Sequence, residues 1–550
     1  MLSNMLKFII LHLLLLFILA DTASSQNVSV ILPLNKTISW ENKELYSDFF
    51  NLNSTSTLQV DFAYLNKNVS YIIFQVHSHL YNITLYNNTY TTGSYVSGSN
   101  LGMYSSVKPK LDTFFIYNPN LINLRLFISV FGYGVADPIP GGCNMEFLLP
   151  ISPFMQTKYT KDYVLVDAAA AKDISDTTCN SMDKAYVLFY QLYLPERHYD
   201  ADNYFDGLRK MMTIEAITEF GEYIPQSGDR LRRMLSAYPG TGAVYVAIAF
   251  SASNTSSYSV YVPTTSYACA PLDDDGCEIL DDSLSQLICA SLIFFGLFVC
   301  YFGHRFFKTE MFLIGLLSGA IITYILITLI ADLDRPALLG ASVLSGMCFG
   351  AIWLSFWWFY GMPLFTVLLS TLNVGFLFSA IIYFGLPGGL LALQSDLNFW
   401  TLFISVMLLT SLLLVSMTFL SNILCCAILG AYATIYPMDY YFGSNLKYII
   451  INTLRRATVP QFNKAVLSPP FEWRDALMTL LWLALAITGF LFQHFHNRGR
   501  PPFPPPPRSV RPRMPGSTYY GSSVTTGRRY GVVIRPTVAP VQTERTPLLA

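Results

Sequence analysis

From residue 285 to residue 493 apolar side chains dominate in long runs, whereas ahead of residue 283 they alternate with polar ones. Seven runs stand out, at 285–303, 311–330, 336–359, 363–387, 399–420, 422–442 and 475–493. A helix needs about 20 apolar residues to cross a bilayer, so each run predicts one crossing. No Asp, Glu, Lys or Arg occurs between Pro336 and Ser395, a stretch that two helices and their turn must share. The fifth and sixth runs are continuous from Phe399 to Phe442 except at Ser421-Asn422, which places their turn there.

The first half predicts strands. Across Tyr71–Leu80, Ile72, Phe74, Val76 and Leu80 fall on one face and Gln75, His77 and His79 on the other, the period-two pattern of a half-buried strand. Similar runs occur at 124–131, 187–194, 243–250 and 258–262, and one amphipathic helix is predicted at Gly207–Phe220. The result is two β-rich, sandwich-like units at 24–152 and 153–283, divided at the Pro150–Pro153 break, with an acidic linker closing the second. His77 and His79 share a strand face without a third ligand, so they read as solvent-facing residues rather than a metal site. Asp137-Pro-Ile-Pro-Gly-Gly142 is dense in turn formers and reads as a tight connection, not a phosphate-cradling loop.

Composition adds the compartment. With 53% hydrophobic and 13% charged residues the chain is neither disordered nor an ordinary cytosolic protein, and its net charge of −1 sums unlike parts. Residues 1–23 carry Lys7, an apolar run from Phe8 to Leu19 and small residues at Ala20 and Ala23, the pattern of a signal peptide. The chain from residue 24 to the first apolar run is then luminal or extracellular. Sequons at Asn27, Asn35, Asn53, Asn68, Asn82, Asn87 and Asn254 all precede that run, as a glycosylated exterior requires. Cys143, Cys179, Cys269 and Cys277 form an even set in that oxidising space and allow two disulfides in any of three pairings.

An external start and seven crossings, within a helical domain at 284–495, put the tail at 496–550 in the cytosol. There nine Arg against one Glu, with many Pro, Gly, Ser and Thr, describe a disordered segment that suits an anionic inner leaflet. The loop from His304 to Glu310 is cytosolic by the same count, and the acidic loop from Ala331 to Arg335 external. The sixth loop breaks the charge rule with Lys447, Arg455, Arg456 and Lys464 on the external side. Its Leu446, Ile449, Ile450 and Leu454 predict a short helix lying in the membrane interface. Within the tail, Phe503, Pro504, Pro505, Pro506 and Pro507 form a polyproline segment that aromatic-lined grooves accept, or a stiff spacer. Glu544, Leu548 and Leu549 resemble an acidic dileucine signal read by clathrin adaptors, and Tyr530 opens a weaker tyrosine signal.

Pumps and ion-coupled transporters need intramembrane acids or bases, and these runs hold almost none. Asn373 reads as a helix-to-helix hydrogen bond, and Gly315/Gly319 and Gly346/Gly350 as close-packing motifs. A G-protein-coupled-type receptor shares the seven helices, but Asp334-Arg335 falls in an external loop and no Asn-Pro-x-x-Tyr closes the last helix. An intramembrane zinc hydrolase would use His304, His494 and His496, which lack an H-x-x-x-H spacing or an inward Asp. The reading is a non-enzymatic protein with no catalytic or metal residues, no cofactor and no nucleic-acid partner. It associates with membrane lipid and presents its ectodomain to an unknown ligand or protein.

Asp137-Pro-Ile-Pro-Gly-Gly-Cys-Asn-Met-Glu-Phe147, Tyr267-Ala-Cys269, Cys300-Tyr-Phe-Gly-His-Arg-Phe-Phe-Lys-Thr-Glu310, Arg498-Gly-Arg-Pro501 and the terminal Glu-Arg-Thr-Pro-Leu-Leu549 together resemble the transmembrane 7 superfamily member 3 family. The membrane part is similar to the hydrophobic domain shared with transmembrane protein 198. The resemblance implies a glycosylated multi-pass protein of the plasma membrane and endolysosomal membranes. It also implies links to restraint of stress-induced cell death, the response to unfolded protein and insulin secretion, and it brings no catalytic residues. Replacing Leu548 and Leu549 with Ala is expected to raise surface abundance, read by surface biotinylation; an unchanged distribution removes the sorting signal.

Overall fold

A computed structural model describes residues 27–87, 95–108, 111–141, 155–172, 185–252, 254–273, 277, 280, 282–331, 333–361 and 363–497. The segment read as a signal peptide, Cys143, Cys179, the Pro150–Pro153 break and the tail with Phe503–Pro507, Tyr530, Glu544, Leu548 and Leu549 lie outside the described residues. The chain divides into two compact units. One is Met1–Ile279 with Pro387–Gln394 and Gln461–Pro470; the other is Leu280–Leu386, Ser395–Pro460 and Phe471–Ala550.

The first unit begins with β1 (Asn27–Pro33), β2 (Glu44–Leu52), β3 (Thr57–Ala63), β4 (Tyr71–Ser78), β5 (Ile83–Tyr86), β6 (Tyr95–Gly98), β7 (Asn100–Ser106), β8 (Phe114–Tyr117) and β9 (Leu124–Tyr133). They make two sheets, β1-β3-β8-β5-β6 and β2-β9-β4-β7. Between the sheets lie Val60, Ile72, Phe74, Val76, Phe114, Ile116 and Ile128, with the Phe74 and Phe114 rings stacked at 4.8 Å. This is the sandwich that the alternating pattern predicts.

Strand β4 departs from the half-buried expectation, because all eight of its residues are buried. It lies between β9 and β7, and the face opposite the first core is also covered: Tyr71, Ile73, Phe127 and Phe131 join one cluster with Phe189, Phe205, Val246 and Ile248. The reading of His77 as solvent-facing is therefore corrected, since it is fully buried, and His79 is half-buried. A period-two pattern reports one buried face; the second was hidden by residues that arrive more than sixty positions later.

Those residues belong to β10 (Ile139–Pro140), β11 (Met155–Tyr159), β12 (Tyr163–Ala168), β13 (Ala171–Lys172), β14 (Ala185–Tyr193), β15 (Glu222–Ile224), β16 (Arg232–Ser236), β17 (Ala243–Ser251), β18 (Tyr258–Val260) and β19 (Thr264–Ser266). The main sheets are β11-β12-β16 and β15-β14-β17-β18, with β19 also paired to β17. In place of the single helix expected at Gly207–Phe220 stand α1 (Ala201–Lys210) and α2 (Ile214–Phe220). Asp200 caps the first by accepting from the Asn203 amide and Thr213 caps the second by accepting from the Ala216 amide. The second cap restarts the helix and breaks the apparent continuity. Cys269 and Cys277 form a disulfide just ahead of the helical unit.

The second unit contains α3 (Ser283–Phe302), α4 (Phe307–Ile330), α5 (Arg335–Tyr360), α6 (Pro363–Gly385), α7 (Asp396–Val415), α8 (Thr418–Phe442), α9 (Tyr448–Thr458) and α10 (Trp473–His496). By length and composition it offers six candidate membrane spans among the described residues, the first of which, Ser283–Ile330, is 48 residues long. Two helices, α3 and α4, share that first stretch and are joined by the 3-10 turn Gly303–Phe306. Helix α8 is central, with 61% of its most apolar window buried against 17% for α5, α7 and α10. The outer helices expose Phe294, Ile330, Phe359 and Leu412, apolar side chains that suit hydrocarbon rather than water.

Close packing is built from small residues. A Cβ on Gly315 would stand 2.9 Å from Gly350 Cα and one on Gly319 would stand 3.2 Å from Gly346 Cα, so the two glycine motifs face each other across α4 and α5. Asn373 donates from Nδ2 to Ser318 Oγ at 2.8 Å, the interhelical bond anticipated for it. The turn between α7 and α8 falls at Ser416–Met417 rather than at Ser421-Asn422, and both Ser421 and Asn422 are buried inside α8. Glu310 is likewise not a loop residue but a buried member of the first turn of α4, and Asp439 is buried near the end of α8. Charge is scarce in the helices but not absent.

Because one core serves both β domains, Phe131→Ala is expected to destabilise by about 3–5 kcal/mol. Hydrogen exchange of the full-length protein should then quicken in β14 and β17 as well as in β2 and β4. Quickening confined to β2 and β4 would contradict a shared core.

Candidate functional site

The joint between the β domains is polar as well as apolar. Lys43 Nζ lies 2.7 Å from Asp137 Oδ1, donates to the Tyr258 carbonyl at 2.8 Å and sits over the Tyr258 ring at 4.1 Å. Burial pulls the Lys43 ammonium below its usual range, and Asp137 opposes that shift. The second Asp137 oxygen accepts from the Gly134 amide at 2.7 Å, and Tyr71 donates its hydroxyl to the Pro138 carbonyl at 2.7 Å. The Asp-Pro-Ile-Pro turn is thus a buried fastening.

A second network crosses the same joint. His77 Nδ1 meets Asn100 Oδ1 at 2.9 Å, Tyr204 donates its hydroxyl to that oxygen at 2.9 Å, and Asn100 Nδ2 donates to Thr265 Oγ1 at 2.9 Å. Burial lowers the His77 pKa to about 4, with the Asn100 contact working in the opposite direction. The ring is therefore neutral at pH 7 and acts as one fixed donor.

Two stretches from between the long helices are built into this same unit. Val466 bridges to the edge of the second domain's sheet: its amide donates to the Met234 carbonyl at 2.8 Å and the Ser236 amide donates to the Val466 carbonyl at 3.2 Å. Tyr193 donates to the Ser468 carbonyl at 2.7 Å, Ser468 Oγ to Glu222 Oε2 at 2.6 Å and Ser227 Oγ to the Lys464 carbonyl at 2.6 Å. The other stretch joins through it, since Asn463 Nδ2 donates to the Gln394 carbonyl at 3.0 Å and Gln394 Nε2 donates to Ser227 Oγ at 3.2 Å. A Cβ on Gly389 would strike Pro225 at 2.5 Å, and its φ of +83° also favours glycine. At the β16 edge this arrangement is a single parallel bridge between Val466 and Leu235, made within one chain.

Within the helical unit a polar cluster stands at the end of α8. Lys447 donates its backbone amide to Asp439 Oδ2 at 2.7 Å, its ammonium lies 3.6 Å from the same oxygen, and Ser444 accepts from that ammonium. Asp475 accepts from the Glu472 amide at 2.8 Å, closes a capping box at the start of α10 and also accepts from the Asn445 amide. The short helix expected in the sixth loop forms as α9, but Arg455 and Arg456 lie on its buried side with Tyr448, Ile449 and Asn452. Arg456 pairs with Asp396 at 2.9 Å and covers the Phe399 ring at 4.7 Å, while Arg455 covers Tyr448 at 5.5 Å. Two of the basic residues that break the charge rule, Lys447 and Arg456, are thus paired with acids.

The other anticipated residues separate. Asn35, Asn53, Asn68, Asn82 and Asn254 are exposed and Asn87 is half-buried; the Asn27 side chain lies outside the described residues. His304 meets Asn422 at 3.1 Å, whereas His496 meets Arg305 at 3.2 Å and His494 stacks on Phe490. Among the described residues no group of three or more His, Cys, Asp or Glu is placed to hold a metal ion. The sequence reading missed Glu310, Asp439 and Asp475. Their signal was a single acid at the margin of each apolar run, which the cost of intramembrane charge makes informative.

Residues 39–133 match the TM7SF3-like N-terminal immunoglobulin-like domain, residues 138–272 the TM7SF3-like second immunoglobulin-like domain, and residues 289–494 the TM7S3/TM198-like domain. The chain is 30% identical to the rat protein Transmembrane 7 superfamily member 3 over 462 residues, 81% of each chain. The chain belongs to the transmembrane 7 superfamily member 3 family. Human and mouse proteins of the same name are 28% and 29% identical over 477 residues, 84% of this chain. The family's two immunoglobulin-like domains thus correspond to β2–β9 and β10–β19, and its membrane domain to α3–α10.

The burial of His77 predicts a pH dependence. Its folded pKa of about 4 lies below the ordinary 6.5, so the unfolded chain takes up the proton first as pH falls. The stability it contributes is complete above about 6.5 and declines towards pH 4, by about 3 kcal/mol in total. His77→Gln should flatten that part of the thermal-unfolding profile between pH 7 and pH 5; an unchanged slope contradicts the assignment.

Proposed function

We propose that this family member is a non-enzymatic, glycosylated, multi-pass membrane protein whose immunoglobulin-like ectodomain binds a ligand or protein partner while its helices and tail scaffold intracellular factors. The observation that carries this reading is the incorporation of Pro387–Gln394 and Gln461–Pro470 into the ectodomain's own unit. A free-standing adhesive module has no use for such stretches. A receptor or scaffold does, because the same chain segments that complete the ectodomain run directly into the long helices.

Parity supports seven crossings. If the two stretches lie on the ectodomain's side, the chain between residue 282 and residue 387 crosses an even number of times, as does the chain between 394 and 461. The 48-residue first span would be about 70 Å long as one helix, more than twice the hydrocarbon thickness. Split at Gly303–Phe306 it gives two crossings, so α3 to α6 supply four, α7 and α8 two, and α10 the seventh. The tail is then cytosolic, where polyproline and dileucine signals work, and clathrin adaptors are its proposed partners. The exposed sequons support a glycosylated exterior, and plasma and endolysosomal membranes are the proposed location. Family resemblance adds roles in restraining stress-induced death, in the response to unfolded protein and in insulin secretion.

A cysteine replacing Leu390, which is 43% exposed, should react with a membrane-impermeant maleimide on intact cells. One replacing Asn497 should react only after permeabilisation. Labelling of both from the same side contradicts the crossing number. Proximity labelling from the ectodomain and from the tail should recover two different neighbour sets; one common set contradicts the division of labour.

A further inference from the structure

The His304–Glu310 end of the helical unit holds a polar cluster that the proposed function does not use. Glu310, Asn422, Gln493 and His304 are 1%, 0%, 2% and 5% exposed. Asn422 Nδ2 is 3.0 Å from Glu310 Oε2 and 3.1 Å from His304 Nδ1. The His304 amide donates to Gln493 Oε1 at 3.0 Å, and Gln493 Nε2 donates to the Cys300 carbonyl at 2.7 Å. Four segments, α3, α4, α8 and α10, therefore meet at this point, with the Gly303–Phe306 turn between the first two.

The cluster is short of donors. Glu310 Oε1 and Asn422 Oδ1 are buried acceptors without a hydrogen-bond partner among the described residues. An ionised carboxylate only accepts, so leaving it charged here supplies no donor to Asn422 Oδ1 and none from Asn422 to Glu310 Oε1. The groups packed around it do not neutralise it: among the described residues it has no ion pair with Lys or Arg. On α8 the Cys426 thiol, a weak donor, faces the carboxyl with Cys425 beside it, and His304 on the turn reaches the carboxyl through Asn422. On its own helix Lys308 is turned to the Trp358 ring at 4.9 Å, and Arg305 is turned to His496 at 3.2 Å. A lone buried charge is far costlier than a neutral acid.

We propose that Glu310 is a proton-binding site, and that in the proton-bound state its carboxyl donates a hydrogen bond to Asn422 Oδ1. One proton supplies the missing donor. The side-chain amide of Asn422 turns over between the two states: Nδ2 faces the carboxylate, and Oδ1 faces the acid while accepting from His304 Nδ1–H. The proton goes to a carboxyl oxygen from the solvent at the His304 end of the bundle, and the turnover of the amide is matched by a shift of the His304 ring proton from Nε2 to Nδ1, so that Nδ1 accepts from Nδ2 in one state and donates to Oδ1 in the other. Loss of the proton leaves an unpaired charge where α8 meets α4, so occupancy of this site sets how firmly those helices are held.

Infrared difference spectroscopy of the full-length protein in lipid nanodiscs, titrated in pH, tests this. A carbonyl stretch of a protonated carboxylic acid is expected on the acid side of the titration, lost on raising pH, absent in Glu310→Gln and shifted in Asn422→Leu. Its persistence in Glu310→Gln, or its absence from the wild type at every pH, overturns the proposal. Loss of the band on adding sodium at fixed pH would also overturn it, by making the site a metal-cation site. As a readout that needs no correctly folded Glu310→Gln variant, the wild-type melting temperature should fall as pH rises through the loss of the band; a melting temperature independent of that transition counts against the coupling to packing.

Discussion

A polar group taken out of water must find its partner inside the protein, and most of this architecture depends on where those partners stand. The Lys43–Asp137 pair is the clearest case in the ectodomain. Its members flank the first immunoglobulin-like domain and meet beneath Tyr258 of the second, so neither domain can close without the other. Removing one partner of such a pair leaves a buried charge at a cost of about 3–5 kcal/mol, whereas replacing both is far milder. The fastening therefore fixes geometry more than it adds stability. The same holds beyond α8, where Asp439 holds both the backbone and the ammonium of Lys447 and turns the chain back towards α9.

Local patterning made the element types legible. Each of the seven apolar runs became a long helix because length alone specifies it, and strands at 71, 124, 187 and 243 could be read because alternation is a property of a few adjacent residues. What escaped the sequence was every feature that depends on a distant partner. Asn422 looks like a turn residue until Glu310, 112 positions earlier, supplies the contact that lets it stay in a helix. His77 looks solvent-facing until Tyr204 and Thr265 are folded over its strand. The helix expected at Gly207–Phe220 failed for the opposite reason, since a local signal, the Thr213 cap, was present but overshadowed by the apolar period.

The glycine motifs show how a weak signal becomes specific. A single small-x-x-x-small pattern in an apolar helix names no partner. Two of them, on successive helices and in mutual register, let α4 and α5 approach until Gly315 and Gly350 nearly touch. Hydrophobic attraction does not order helices in hydrocarbon, so this close approach and the Asn373–Ser318 bond supply what the lipid cannot.

The arginines of α9 bear on topology in a way that counting charges does not. The positive-inside rule weighs Lys and Arg that remain in loops, free to feel the translocation machinery and the anionic leaflet. Arg456 is instead 7% exposed, paired with Asp396 and laid on Phe399, and Arg455 is 6% exposed beside Asn452. Arginines buried and engaged in this way in the finished fold have little left to say about sidedness. The conflict between the sixth loop and the basic tail then dissolves: the tail's nine Arg vote by charge, and the loop, whose neighbouring stretch Gln461–Pro470 is part of the ectodomain's unit, votes by structure. The proposed seven crossings would put the tail in the cytosol and the loop outside.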